Sequence, residues 1–471
     1  MKKVSEELSV CLINDSFPPL IDGVANTVKN YAAIINKNHG KATVAVPYYP
    51  GADDSDFSYK VVRFPSINTE KLVGYRAGYP FDPETLEEIK TEKINIIHTH
   101  CPFMSTLLAR TLREPLDAPV VFTYHTKFDI DIEAAVKNRY IQKKVLKHLV
   151  SNIESCDEVW VVSEGAGENL RSIGYTGEYV VMPNGVDMPK GRVPEEKIEE
   201  ATAGFDLPKE IPVFLFVGRM AWYKGVGIAI EALADIKNRG DDFRMVFIGG
   251  GRNFEEIKKY SEKCGIADKC IFTGPIQDRE TLRAWYCRAD LFLFPSVYDT
   301  NGLVVREAAA CGLGSLLIEK SCAAEGITDG ETGFICKNTP EDFADKLHSL
   351  CTERELMKTV GKNAMDKIYV SWEDSVAAAV ERYKIVLEKY RSGEYEREQS
   401  FSDEWFAAEG ELLDGINRSR NMRHRLKNAV YLYGKEKNRK MKNSAKNFYQ
   451  GINEKRKKAV SSFREKLDKY L

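Results

Sequence analysis

Short, unbroken apolar runs alternate with stretches of helical periodicity through the first part of the chain. The runs are Ser9–Ile13, Ala42–Val46, Ile94–Ile97, Val120–Phe122, Glu158–Val162 and Tyr179–Met182. Runs of this kind suit strands buried on both faces, and their alternation with helices predicts parallel βαβ units. A passage rich in Pro, Gly and Glu, from Pro183 to Pro212, interrupts the pattern. A second series follows: Val213–Val217, Met245–Ile248, Cys270–Thr273, Leu291–Phe294 and Ser315–Ile318. The two series predict an α/β protein of two Rossmann-like domains, residues 1–190 and 205–370, facing each other across a cleft. In such sheets ligands bind at the carboxyl ends of the strands. After about residue 340 the pattern turns helical. Residues 371–390 place Val376, Val380, Tyr383 and Val386 at helical spacing and are expected to pack back on the domains. Residues 391–471 read as an acidic linker and a basic helical tail.

Length agrees with this division, because 471 residues exceed what one hydrophobic core usually supports. No stretch approaches the roughly 20 apolar residues of a membrane-spanning helix. The N-terminus has basic residues but no apolar segment or cleavage site of a secretory signal. The ten cysteines include no C-x-x-C pair, which argues against a zinc ribbon and for free thiols in a reducing cytoplasm. Packing accounts for Cys11, Cys101 and Cys311 beside their apolar runs or ligand loops. The net charge of −2 conceals an asymmetry, since residues 421–471 carry 16 Lys/Arg against 4 Asp/Glu.

The densest chemistry lies in Ser296–Gly312, SVYDTNGLVVREAAACG, which reads as strand, polar loop and helix start. Gly302 would let the backbone approach a phosphate, and the first helical turn at Leu303 and Val304 offers unpaired N–H groups and a positive dipole end. Asp299 and Glu307 flank that point and could accept from sugar hydroxyls. Acidic residues at such a position also cap helices with no ligand present. Three further loops share the character. Arg219 and Lys224 follow the first strand of the second series, and a planar donor fork with a mobile point charge suits a diphosphate. Gly249-Gly250-Gly251 follows another strand but lacks the dinucleotide-binding spacing. Asp22-Gly23-Val24 lies between the first strand and a helix, where Gly23 permits close backbone approach.

Taken in order, Asp22-Gly23-Val24, Gly218-Arg219…Lys224-Gly225 and Asp299-x₇-Glu307 with its Glu-Ala-Ala-Ala-Cys-Gly ending resemble a family 4 retaining glycosyltransferase of GT-B fold. Pro183-Asn-Gly-Val-Asp187 looks like that family's signature before the interdomain linker, and the resemblance spans roughly residues 8 to 390. The Asp299–Gly312 form is also reminiscent of bacterial diacylglycerol glucosyltransferases. The resemblance implies that Arg219 and Lys224 contact the donor diphosphate, that Glu307 binds the nucleotide ribose, and that Asp299 contacts the transferred sugar. It implies phosphate binding at Gly302, Leu303, Val304 and Gly23, and places His125 near the reacting sugar. His125 also reads as a hydrogen-bonded loop histidine after a strand. Asp299 stands where the family usually has Glu, and Cys311–Gly314 lacks a proline often found there.

The implied reaction is metal-independent transfer of a hexose from a UDP- or GDP-hexose, with no cofactor. Asp129-Ile-Asp131 repeats a metal signature of another glycosyltransferase fold, but further oxygen ligands are not evident nearby. Two basic segments suit an anionic membrane surface: Lys137–Lys147, mixed with Tyr140 and Ile141, and Lys455–Leu471, whose Val460, Phe463, Leu467 and Leu471 share one helical face. Solvated helices or helix contacts explain the same pattern, and the tail has no recognisable nucleic-acid module. The expectation is a cytoplasmic enzyme, peripheral on the inner face of the cell membrane, that glycosylates a lipid or lipid-linked envelope glycan. A soluble acceptor, epimerisation of the nucleotide sugar, or a non-catalytic binding subunit are the competing readings.

Overall fold

The computed structural model describes residues 7–20, 22–70 and 75–395, together with Glu454. The first domain holds a seven-stranded parallel sheet in the order Lys60–Phe64, Gly40–Pro47, Leu8–Ile13, Ile96–Thr99, Val120–Tyr124, Glu158–Val161, Val180–Val181. Along the strand Leu8–Ile13, Val10 and Leu12 enter one core while Cys11 and Ile13 enter another. That period of two, with all four side chains buried, explains why the strand reads as a continuous apolar run.

The second domain holds a six-stranded sheet ordered Cys270–Gly274, Arg244–Ile248, Val213–Val217, Leu291–Phe294, Ser315–Ile318, Phe334–Cys336. Its pairs are all parallel. Every central strand of both sheets falls on an expected run. Lys60–Phe64 and Phe334–Cys336 were not expected; both are edge strands, and in the first Lys60 and Arg63 interrupt the apolar residues.

The Pro183–Pro212 passage is not a plain linker, because it contains the helix Glu195–Thr202. Val193 and Ile198 sink into the second domain's core with Leu282 and Trp285. The crossing between domains is confined to its start. There Val186 N–H donates to Val370 O at 3.1 Å, so the outgoing and returning chains run side by side. Gly185 lies against the backbone of Ser371 and Trp372, where any side chain would collide.

The returning chain forms the helix Trp372–Ser392, which packs on the first domain as its spacing predicts. Trp372, Val376, Val380, Tyr383 and Val386 join the core that holds Val10, Leu12, Tyr31 and Trp160. Arg382 grips Glu158 with two bonds of 2.8 and 2.6 Å, and Trp160 Nε1 donates to the same carboxylate at 2.6 Å. The linker after 395 and the basic tail lie outside the described residues, apart from Glu454.

Candidate active site

The second domain's share of the site is built where the strand Leu291–Phe294 ends. The loop after it leads to Gly302, whose φ of +59° is left-handed, and then to the helix Leu303–Ala310. A Cβ on Gly302 would stand 2.8 Å from Ala323 Cβ, so conformation and space both require glycine here. No side chain caps this helix. Its first internal bond runs from Val305 N–H to Gly302 O at 2.8 Å, which leaves Leu303 and Val304 N–H ahead of the ladder. Asp299 therefore does not serve as a helix cap. Its Oδ1 takes Lys224 Nζ at 2.5 Å and its Oδ2 takes Ser296 Oγ at 2.5 Å.

Lys224 reaches Asp299 because the turn Trp222–Lys224 is pressed against the donor loop. Gly225, with φ of +74°, sits so close to Pro295 O that a side chain would not fit. The Lys224 and Asp299 side chains retain only 17% and 21% exposure, so their attraction is poorly screened. Arg219 is exposed on the preceding loop, with Nη1 donating to Tyr223 OH at 3.2 Å. Partial burial pushes the Asp131 carboxyl of the first domain upward, and the positive charge of Arg219 opposes that shift. The triple glycine has a packing task. Met220 N–H donates to Gly250 O at 2.9 Å, and Gly249 and Gly251 lie against the backbone of Gly218 and Met220. Glu307 is held by Arg279 Nη2 at 2.8 Å and by Tyr286 OH at 3.1 Å.

On the opposite wall, His125 follows the strand Val120–Tyr124 and is buried. Its Nε2 lies 2.9 Å from His100 Nδ1, and burial lowers its pKa to about 3. His100 and His98 are likewise buried and pushed well below the usual histidine range by desolvation. The three rings form a neutral stack, and His98 Nδ1 continues it to Tyr383 OH at 2.5 Å. Gly23 opens the helix Gly23–Asn38, whose N-terminus is capped by Asp22 accepting from Ala25 N–H at 2.7 Å. A Cβ at Gly23 would meet nothing within 4 Å, so the glycine faces open space. Asp129 and Asp131 sit on the helix Phe128–Ala135, and Asn169 donates to both oxygens of Asp129 at 3.2 Å. Among the described residues no group of three or more His, Cys, Asp or Glu side chains is placed to hold a metal ion.

The two walls touch through the same loops. Thr300 Oγ1 donates to His125 O at 2.6 Å, and Ser163 Oγ donates to Thr300 O at 2.6 Å. Lys127 Nζ donates to Val297 O at 3.2 Å, and Glu325 accepts from Glu164 and Gly165 N–H at 2.8 and 2.6 Å. The structure thus brings Asp299, Lys224, Gly302, Leu303 and Val304 into one contiguous group, and connects His125 to it through Thr300.

The basic helix of the first domain is Arg139–Glu154. Leu149, Val150 and Ile153 are buried, whereas Tyr140 and Ile141 are 69% and 48% exposed among exposed Lys143, Lys144 and Lys147. The face is amphipathic with its apolar tip turned outward. Among the described residues no helix is long and apolar enough to cross a membrane.

Sequence reasoning missed Arg279, His100, Ser163, Thr300 and Glu325. The pair His98-Thr-His100 at a strand end was a usable signal. Arg279 becomes visible only when its helix packs beside Glu307, and Ser163, Thr300 and Glu325 only when the domains are apposed.

Comparison with known proteins agrees with this fold. The family profile described as "Glycosyltransferase Family 4" matches residues 21–189, and that described as "Glycosyl transferases group 1" matches residues 197–367. The chain belongs to this family of two-domain GT-B glycosyltransferases. It is 26% identical over 309 residues to the alpha-monoglucosyldiacylglycerol synthase of Streptococcus pneumoniae, covering 65% of this chain and 70% of that protein. It is 26% identical to the GDP-mannose-dependent alpha-(1-6)-phosphatidylinositol monomannoside mannosyltransferase of Mycobacterium tuberculosis, over 78% of this chain and 96% of that one. Among solved structures, sucrose-phosphate synthase from Thermosynechococcus elongatus superposes with a TM-score of 0.64 at 21% identity, covering 81% of this chain and 99% of the other. HepE of Anabaena, solved with UDP-glucose, gives 0.62 at 16% identity, covering 81% and 100%.

Proposed function

We propose that the chain transfers a hexose from UDP- or GDP-hexose, with retention of configuration and without metal, to a membrane lipid or lipid-linked envelope glycan. The observation that carries this reading is the Lys224–Asp299 pair set beside a glycine-opened, uncapped helix N-terminus. Cleaving the anomeric C–O bond builds positive charge on the sugar ring and negative charge on the departing diphosphate. Lys224, Arg219 and the Leu303 and Val304 N–H groups supply fixed positive potential where that negative charge grows. Such a field favours the transition state over the bound donor, which is what lowers the barrier. Asp299 keeps Lys224 oriented and offers its carboxylate to the sugar hydroxyls. Glu307, steadied by Arg279 and Tyr286, is the carboxylate we assign to the ribose.

The neutral His125 suits a hydrogen-bonding role at the sugar rather than that of a charged group. Its Nε2 is engaged by His100, so Nδ1 is the nitrogen that remains for substrate. Lipid acceptors are favoured by the two relatives, whose names specify a glucosyldiacylglycerol product and a phosphatidylinositol monomannoside acceptor, and by the outward Tyr140–Ile141 tip with its lysines. The same helix supports the reading of peripheral attachment to the inner membrane face. UDP is favoured by the bound donor of HepE, and GDP by the mycobacterial relative.

The test is slow hydrolysis of UDP- and GDP-hexoses by the purified protein without acceptor, with and without EDTA. Nucleotide release that survives EDTA and disappears in Lys224→Ala supports the reading. Tight nucleotide-sugar binding without any release would instead mark a non-catalytic binder, and loss with EDTA would overturn metal independence.

A further inference from the structure

Thr300 occupies a singular place in this fold. It is the residue after Asp299 and lies two before Gly302, so its backbone lies between the sugar-contacting carboxylate and the phosphate-facing helix start. Both of its polar ends are committed to the other domain. The hydroxyl donates to the carbonyl of His125 at 2.6 Å, and the carbonyl accepts from Ser163 Oγ at 2.6 Å. Ser163 in turn accepts from Ala166 N–H at 3.0 Å, so its hydroxyl proton is free to point across the cleft while the oxygen caps its own helix. His125 is fixed at its other end by His100 Nδ1.

We propose that Thr300 is a positioning residue that sets His125 of the first domain in register with Asp299 and Lys224 of the second, so that chemistry proceeds only when this latch is closed. The inference rests on the transferase reading and adds to it a residue whose hydroxyl and carbonyl are both bonded to the first domain. Three observations favour a latch over incidental contact. Thr300 donates in one bond and accepts in the other, so both its hydroxyl and its carbonyl are tied to the first domain. Ser163 and His125 follow adjacent strands, Glu158–Val161 and Val120–Tyr124, of one rigid sheet, so Thr300 is held against two fixed points. The neighbouring Glu325 carboxylate closes on Glu164 and Gly165 N–H, which ties the same helix start to the second domain. In the open cleft all these groups return to water, which keeps the latch weak enough to release product.

The test compares Thr300→Val, which keeps the shape and removes the donor, with Thr300→Ser, which keeps the donor. Turnover of the saturated enzyme should fall about fivefold in Thr300→Val, the factor that one lost neutral hydrogen bond amounts to. Donor KM should change less than twofold, and Thr300→Ser should restore turnover. The Glu164 and Gly165 amides report closure directly, because they donate across the cleft. Hydrogen–deuterium exchange of peptides covering them should quicken in Thr300→Val and not in Thr300→Ser. Wild-type turnover in Thr300→Val, a lower melting temperature with unchanged kinetics, or a turnover loss without faster exchange would each overturn the latch. If the wild-type protein turns over no nucleotide-hexose at all, the transferase reading fails, and the exchange measurement still decides whether Thr300 holds the domains together.

Discussion

Lys224 has two tasks whose demands differ. It must pair with Asp299 tightly enough to stay aimed, and it must still present its charge to a leaving diphosphate. A Nζ–Oδ1 separation of 2.5 Å with Ser296 on the second oxygen meets the first demand. Deleting a single electrostatic donor of this kind costs on the order of 3 kcal/mol in the barrier, about two decades in rate. Lys224→Ala should therefore lose at least about a hundredfold in kcat, with a modest fall in melting temperature because the mostly buried Asp299 loses its cation. Arg219→Ala should lose activity in the same direction while leaving stability unchanged, since Arg219 is exposed. Wild-type turnover in either variant would remove that residue from the mechanism. The loops that carry Lys224, Arg219 and Asp299 were legible in the sequence because each follows an apolar strand run. The pairing of Lys224 with Asp299 was not, because the two are brought together by a turn packed on a loop 75 residues away. Likewise, Thr300, Ser163 and Glu325 carry no local signature, and only the apposed domains give them meaning.

The helix Leu303–Ala310 shows what one position decides. Gly302 adopts the left-handed region and has no room for a Cβ against Ala323. Gly302→Ala should destabilise the second domain by roughly 1–2 kcal/mol from conformation alone. It should also weaken nucleotide-sugar binding, which thermal shift on adding UDP- or GDP-hexose reads as a smaller rise in melting temperature. An undiminished shift would contradict phosphate binding at this turn. The helix Arg139–Glu154 makes the other element-scale claim. Reversing charge at Lys143, Lys144 and Lys147 should strongly reduce binding to anionic vesicles, each lysine near such a surface contributing about 1 kcal/mol. Sedimentation with phosphatidylglycerol vesicles tests this, and undiminished binding would leave the helix a solvated face. Central strands were readable as continuous apolar runs because both their faces are covered. The edge strand Lys60–Phe64 was not, because Lys60 and Arg63 break its apolar run. The Pro183–Pro212 passage hid a short helix with one buried apolar anchor, Ile198, too little for periodicity to reveal.

Across the whole molecule, two parallel sheets present their loop ends to one cleft, and the chain crosses between them twice, side by side at Val186 and Val370. The final helix returns to the first domain, so residues far apart in sequence share one core. That core carries the neutral histidine stack, and burial there couples stability to pH. His98, His100 and His125 are depressed below their unfolded value near 6.5, so the unfolded chain binds protons that the fold does not. Their contribution is present above pH 6.5 and is lost as pH falls below it, by up to about 1.4 kcal/mol per pH unit for each histidine. Urea midpoints measured from pH 7.5 to 5 should fall steadily below 6.5. His125→Asn should flatten part of that slope, whereas an unchanged slope would mean that His125 is already charged in the fold. The central claim is retention of configuration in transfer to a lipid, and one measurement addresses it. Purified protein is supplied with an α-linked UDP- or GDP-hexose and vesicles containing diacylglycerol, and the anomeric configuration of the glycolipid formed is read by proton NMR. An α-linked glycolipid is the predicted product, and a β-linked one would contradict the account.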